Sequence, residues 1–133
     1  MWRGIMVTLV VACLLACGAA VWMARDAVIA PFVLPGATDV VVSPRGLAAL
    51  RVSYHAAGQS YDWRAGVWRQ VVAQGWHGRD YTFGTTRQFV VTWYTRSIEL
   101  GPLIILESAV VGGDPRDPSA VIVEVHSELH LRP

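Results

Sequence analysis

The sequence predicts an α+β fold, in which an N-terminal transmembrane helix precedes an antiparallel β-sheet domain with one packed helix. Three observations support this prediction. Residues 5–24 carry no charged side chain, and residues 61–74 repeat apolar side chains with a helical period. Most of the remaining chain alternates apolar and polar residues between turn signals. The expected order in the domain is β-β-α-β-β-β, or one strand more.

The apolar segment Ile5–Ala24 would form a helix about 30 Å long, the thickness of a bilayer's hydrocarbon core. Three interpretations stay open for it. The first is a single membrane-spanning helix that is retained, with Trp2 and Trp22 as membrane-interface anchors. Because Arg3 precedes the segment, a slight positive-inside bias places the N-terminus in the bacterial cytoplasm. The domain then lies in the periplasm or outside the cell.

The second interpretation is a lipoprotein signal, because Cys13 and Cys17 each follow a small residue, as a lipidated cysteine does. Leu15 is atypical for such a motif, and the apolar run continues beyond Cys17. The third interpretation is a cleaved signal peptide, although no small-x-small site precedes a polar start. In all three, the predicted division is an anchor or signal-like segment, a short linker and an extracytoplasmic domain, at residues 1–25, 26–34 and 35–133.

The predicted domain is close to neutral and lacks cysteine. Residues 25–133 carry ten Arg against ten Asp and Glu. A nucleic-acid-binding protein needs a basic face, so this class is not expected. Both cysteines lie in the apolar segment, which leaves the domain without a disulfide or a thiol nucleophile. Its stability must come from its core. The six tryptophans of the chain, four of them in the domain, suggest a core or a docking face built from large rings.

The first part of the domain is predicted to be a β-hairpin. A turn signal at Pro35-Gly36 opens the domain, and a second turn follows at residues 44–46. Val40–Ser43 and Leu47–Tyr54 are the strands on either side of the second turn. One face of the longer strand is expected to carry Ala48, Leu50, Val52 and Tyr54.

The helical period runs from Tyr61 to Gln74. Ser60 is the expected N-cap, and Asp62 suits the positive end of the helix dipole. Gly75 is the expected C′ residue, with Trp76 folded back on the last turn as in a Schellman motif. The predicted apolar arc comprises Tyr61, Trp63, Ala65, Val67, Trp68, Val71 and Val72. The predicted solvent side comprises Asp62, Arg69, Gln70 and Gln74.

The remainder of the chain is predicted to be a meander of strands at residues 79–83, 87–98, 103–111 and 120–131, with turns at 84–86 and 100–102. Gly112–Ser119 is rich in Gly, Pro and Asp, and it is predicted to be a mobile loop. The last strand alternates most clearly. Its apolar side is expected to comprise Val121, Val123, Val125, Leu129 and Leu131.

Two structural motifs carry a resemblance to known proteins. The opening Pro35-Gly36-Ala37-Thr38-Asp39-Val40 and the helix end Gly75-Trp76 resemble those of small bacterial membrane-anchored proteins and lipoproteins of uncharacterised function. The match covers roughly residues 34–131. The start of the helix, Gln59-Ser60-Tyr61-Asp62-Trp63, matches that group only in part. The resemblance implies the fold and the membrane location, and it brings no catalytic residues.

Candidate chemistry is sparse. Alternate positions from Glu124 to His130 carry two Glu and two His on one face, but same-face neighbours lie about 7 Å apart. A metal site would need a further ligand such as Glu107 or Glu99, so these residues are interpreted as the polar face of a half-exposed strand. His77 follows the helix and is expected to cap it. No catalytic residue, metal site or cofactor is predicted.

Trp63 and Trp93 are the tryptophans predicted to be exposed, and they are the candidate residues for docking a partner. The sequence therefore predicts a non-catalytic accessory subunit of a larger membrane complex, with a single-span anchor in the bilayer. Electron-transfer complexes are an example by analogy. The alternative is an independent anchored or lipidated module that binds a small apolar ligand between helix and sheet. An enzyme is not expected.

Overall fold

The computed structural model describes residues 2–46, 48–58, 63–83 and 89–133, and it divides the chain into two units, Met1–Ala30 and Pro31–Pro133. The first unit is the helix α1, Trp2–Ile29, and a short 3₁₀ turn at Ala30–Phe32 follows it. Helix α1 includes residues 26–29, the first part of the segment predicted to be a linker. It ends before Pro31, whose ring disfavours helical conformation in the residue that precedes it.

The described residues contain no helix with the length and hydropathy of a membrane span.

The second unit confirms the α+β prediction, and its described residues form six strands. They form one fully antiparallel sheet in the order β1-β2-β6-β5-β4-β3, with the helix α2 between β2 and β3 in the chain. The C-terminal strand β6 thus lies inside the sheet, between β2 and β5. The elements are β1 Thr38–Pro44, β2 Ala49–His55, α2 Trp63–Val72, β3 His77–Phe83, β4 Phe89–Leu100, β5 Leu103–Asp114 and β6 Asp117–Leu131.

Alternation along the strands gives the sheet two different faces. On one face, Val52 of β2 pairs with Val123 of β6, which pairs with Val111 of β5. We call this the helix-side face, because Trp68 of α2 contacts Tyr94 on it. Its other buried residues are Tyr54, Thr92, Tyr94, Glu107, Ala109, Val121 and Val125. We call the opposite side the open face. The described side chains there are exposed or only partly buried.

Helix α2 is rotated relative to the predicted apolar arc. Trp63, Val67 and Val71 are buried, so the residues at i, i+4 and i+8 form the inner side. Ala65 is exposed, although it was predicted to lie within the arc. Trp68 and Val72 are also exposed. Tyr61, which was predicted in the same arc, lies outside the described residues, as do the predicted N-cap Ser60 and Asp62.

Gln70 was predicted on the solvent side of the helix, and it instead joins the helix to the start of the domain. Its Nε2 donates to the carbonyl oxygen of Pro31 at 2.9 Å and to that of Val33 at 3.3 Å. These bonds satisfy two backbone acceptors in a segment without strand partners. The segment before β1 is therefore tied to α2.

The C-terminus of α2 confirms the predicted Schellman motif. The amide of Trp76 donates to the Val71 carbonyl at 3.2 Å, and the amide of Gly75 donates to the Val72 carbonyl at 3.1 Å. Gly75 has a φ of 84°, a left-handed conformation that glycine adopts without steric cost. Trp76 is thereby turned into the core, where it is buried.

Aromatic rings fill the core between α2 and the sheet. Phe32 packs edge-on against Trp76, with ring centroids 4.9 Å apart, and against Tyr94 at 5.8 Å. The hydroxyl of Tyr54 donates to the carbonyl oxygen of Phe32 at 2.6 Å. Burial raises the pKa of both tyrosines to about 12. The residues just before β1 thus belong to the core of the domain.

The prediction of a loop at Gly112–Ser119 is wrong. Strand β5 continues to Asp114 and β6 begins at Asp117, so only two residues turn the hairpin. Asp114 Oδ1 accepts a hydrogen bond from the amide of Arg116 at 2.8 Å, the side-chain-to-backbone contact typical of such turns. The other predicted turn of this region, at residues 84–86, lies outside the described residues.

A candidate docking surface on the open face

The open face carries a groove across β3, β4, β5 and β6. Cross-strand pairing places His77 beside Thr95 and Thr95 beside Ser108, and the next row pairs Ser97 with Leu106. The groove has a volume of about 370 Å³. Its lining residues are His77, Trp93, Thr95, Arg96, Ser97, Leu106, Glu107, Ser108 and Glu128.

Trp93 forms a wall of this groove and of a second one towards the β3 edge. The second groove has a volume of about 270 Å³ and shares His77, Trp93 and Thr95 with the first. Trp93 is 47% exposed, and Leu106 nearby is also exposed. A large ring flanked by hydroxyl groups and an imidazole offers apolar area together with hydrogen-bond partners. Of these residues, tryptophan is the type that is enriched at protein-docking surfaces.

The two tryptophans proposed for docking lie in different environments. Trp93 is exposed as predicted, but the exposure predicted for Trp63 is wrong, because Trp63 is only 5% exposed. Its Nε1 donates to the carbonyl oxygen of Pro118 at 3.1 Å. A Cβ added at Gly113 would lie 3.0 Å from the ring, so the indole packs directly on the β5–β6 hairpin. Trp63 is therefore a core residue.

The Glu and His residues of β6 do not converge. Glu124 lies opposite Arg51 of β2, with 3.9 Å between Nη1 and Oε1. Glu107, one of the ligands considered for a metal, lies on the helix-side face. Glu99 forms an ion pair with Arg132 at 3.0 Å. The described residues contain no group of three His, Cys, Asp or Glu side chains arranged to hold a metal ion.

Glu107 instead forms a largely buried ion pair with Arg96. Its Oε2 accepts from Arg96 Nη2 at 2.6 Å and from Nε at 2.8 Å. The guanidinium carbon of Arg96 lies 4.7 Å from the centre of the Trp76 ring, within the range of a cation–π interaction. The pair lies near the end of α2, where Arg96 Nη1 also donates to the carbonyl oxygen of Gln74 at 3.5 Å.

A second ionic cluster joins three strands at the opposite end of the sheet. His55 Nε2 lies 3.1 Å from Asp117 Oδ2, and Nδ1 lies 3.4 Å from Asp39 Oδ2. Asp39 has a φ of 53° beside an irregularity in the β1–β2 pairing. Hydrogen bonds from the Ser119 hydroxyl and amide hold the pKa of Asp117 below its ordinary value, and His55 contributes to this. This cluster links β1, β2 and β6.

His77 does not lie at the end of α2, as capping would require. It is the first residue of β3, and it lines both grooves. The capping prediction is therefore wrong. The sequence signal that was missed is the alternation of Trp93, Thr95 and Ser97 along β4, which places one aromatic and two hydroxyl side chains on the same face.

The helix side offers a smaller cavity, of about 180 Å³, at the flank of α2. Its lining mixes polar and apolar residues, namely Arg64, Ala65, Trp68, Asp80, Thr92 and Tyr94. This cavity is smaller and more polar than the pocket that was expected between helix and sheet for an apolar ligand. Phe32 and Trp76 fill part of this layer.

The N-terminal candidate residues lie on α1. Cys13 and Cys17, the proposed lipidation sites, are both exposed free cysteines. Trp2, a proposed membrane-interface anchor, is exposed at the first residue of the helix. The side chain of Trp22, the other proposed anchor, lies outside the described residues.

Comparison with known proteins identifies no matching family model, no similar curated protein and no similar solved structure.

Proposed function

We propose that this protein is a non-catalytic accessory subunit of a membrane complex, held in the bilayer by residues 5–24. Its sheet domain docks on a partner through the open face around Trp93. The observation that carries the docking role is the exposed Trp93 between two grooves on a sheet face that α2 leaves uncovered. Tryptophan is among the residues that most often dominate binding energy at protein interfaces.

Membrane attachment is supported by the composition of the segment Ile5–Ala24. It contains twenty residues without a charge, enough to cross the hydrocarbon core once as a helix. Small residues at positions 12, 16 and 18–20 would let a neighbouring helix approach closely. We place the N-terminus in the bacterial cytoplasm and the domain in the periplasm or outside the cell. The resemblance to small membrane-anchored proteins agrees with this placement.

The first experiment tests attachment and assembly together. Full-length protein with a C-terminal tag is expected to stay in the membrane fraction after alkaline carbonate extraction. After solubilisation in a mild detergent, it is expected to co-purify with defined subunits. A protein that is released by carbonate would contradict the anchor, and a lone monomer in mild detergent would contradict the accessory role.

The second experiment tests the docking surface. Trp93→Ala is expected to weaken association by about 30-fold or more, the loss typical of a tryptophan that contributes at least 2 kcal/mol. Trp68→Ala is the matched control, because Trp68 is 40% exposed but lies on α2, at the other side of the sheet. Melting temperatures of both variants control for loss of folding. Equal recovery of the partner with wild-type protein and Trp93→Ala would contradict the proposed surface.

A second candidate function is an independent anchored or lipidated module of the cell envelope. The groove of about 370 Å³ favours it, because its volume lies within the range of small-molecule sites. The ligand would then contact Trp93 and Leu106 on the open face. Intact mass spectrometry tests the lipidated form, since processing at Cys13 or Cys17 removes the preceding residues and adds acyl chains.

A further inference from the structure

Three strands extend beyond the rest of the sheet. Pairing between β3 and β4 ends at His77 with Thr95, and pairing between β2 and β6 ends at Ala49 with His126. Strands β4, β5 and β6 continue to pair with one another as far as Leu100, Leu103 and Leu131. We call this extension the arm. It comprises residues 96–100, 103–107 and 127–131.

The helix-side face of the arm is apolar beyond the Arg96–Glu107 ion pair. It carries two cross-strand rows, and each row has one residue from each strand. The rows are Ile98–Ile105–Leu129 and Leu100–Leu103–Leu131. Leu100, Leu129 and Leu131 are 55%, 65% and 75% exposed. The same alternation that places Val123 and Val125 on the core face also places these leucines there. They lie past the end of α2, however, and remain exposed.

The opposite face of the arm has a different character. Its rows are Ser97–Leu106–Glu128 and Glu99–Ile104–His130, so each row contains a carboxylate. Glu128 Oε2 lies 3.2 Å from His130 Nε2, and Glu99 forms an ion pair with Arg132. The only carboxylate on the helix-side face of the arm is Glu107, at its base, and Arg96 neutralises it. The apolar rows can therefore enter an apolar medium without burying an unpaired charge.

The chain enters the domain on this same face. Phe32 packs on Tyr94, and Ile98 is two same-face positions further along β4, at a distance of about 13 Å. Helix α1 ends at Ile29, so only two residues separate it from Phe32. In the proposed function the membrane segment ends at Ala24, eight residues before Phe32, so a short stretch of chain tethers the bilayer to the domain. This tether favours lipid over a second copy of the chain as the occupant.

We propose that the six apolar residues of the arm insert into the interfacial region of the lipid bilayer. This inference rests on the membrane anchor of the proposed function. It adds a second contact with the membrane, and that contact would restrict the orientation of the domain. The open face with Trp93 would remain available to a partner, because the arm meets the lipid with its other face.

The test uses the full-length chain with a fluorophore that is sensitive to polarity. In a Cys13→Ser and Cys17→Ser background, NBD is attached to Leu131→Cys, and in a matched control to His130→Cys. The two positions are adjacent in β6, exposed, and on opposite faces of the arm. Each protein is reconstituted into phosphatidylcholine–phosphatidylglycerol vesicles with or without lipid that carries a nitroxide near its headgroup.

The label at position 131 is expected to emit at shorter wavelength and to lose several times more emission to the nitroxide lipid than the label at position 130. Water-like emission at both positions would overturn the inference. Blue-shifted emission at 131 without quenching would also overturn it, because protein would then cover the face. Flotation with the vesicles separates the two proposals. If the protein floats but the label at 131 is not quenched, the anchor is supported and the arm contact is contradicted. If the protein does not float, both proposals are contradicted.

Discussion

Replacing Arg96 with methionine should be among the most damaging single substitutions in the domain. The Glu107 side chain is only 4% exposed, and removing one partner of a buried ion pair typically costs about 3–5 kcal/mol. Loss of the cation–π contact with Trp76 adds about 1 kcal/mol. At about 4–8 °C per kcal/mol for a domain of this size, we expect the melting temperature to fall by about 16 °C or more.

The measurement is thermal and urea unfolding of wild-type and variant proteins in one detergent, followed by tryptophan fluorescence. The double variant Arg96→Met/Glu107→Leu is expected to recover most of the loss, because an apolar pair of similar volume can replace a buried ion pair. Arg132→Met is the control. It breaks an exposed ion pair with Glu99 and should cost less than about 1 kcal/mol. If Arg96→Met cost no more than Arg132→Met, the assumed desolvation of Glu107 would be wrong.

Two further predictions concern packing and pH. Gly78→Ala should destabilise the domain by about 1–3 kcal/mol, because the new Cβ would lie 2.8 Å from the Tyr94 ring and closer still to Trp68. A midpoint of urea unfolding equal to that of wild type would contradict this. The lowered pKa of Asp117 implies stability that is present above pH 3.8 and lost as pH falls through the lowered value. In Asp117→Asn the side-chain oxygen can still accept from Ser119. The free energy of unfolding of this variant should therefore fall less steeply than that of wild type as pH is lowered. An unchanged acid dependence would show that Asp117 does not contribute this stability.

The sheet and its faces could be predicted because strand alternation is a local property of the sequence. The buried apolar residues of β2 and β6 fall on the helix-side face, as expected from a period of two. The end of α2 was equally predictable, since glycine at C′ followed by an apolar residue is typical of a Schellman motif. These features depend on neighbours within a few residues.

The rotation of α2 and the length of the β5–β6 hairpin depend on distant contacts. Apolar residues surround most of the helix, so their period alone could not select Trp63 for the core. That choice depends on Gly113, which leaves room for the indole, and on Gly66, where a Cβ would lie 3.0 Å from Leu34. The same Gly113 made the hairpin resemble a loop by composition, although its role is close packing within a strand.

The docking surface was predictable only in part. Exposure of Trp93 follows from alternation in β4, but the grooves beside it depend on how β3 and β5 pair with that strand. Sequence could not show this pairing. The same limit applies to the arm, because the uncovered leucines are uncovered only where β2 and α2 end.

The position of β6 has a consequence for how this polypeptide reaches its native state. Strand β6 follows the other five strands in the chain and yet lies inside the sheet, and among the described residues the β1–β2 hairpin joins the rest of the sheet through β6. Until β6 has left the ribosome, that hairpin and the β3–β5 meander lack their shared neighbour and expose unpaired edges. Nascent chains of this protein should therefore fold late and as one cooperative unit, and they should depend on chaperones that bind extended segments.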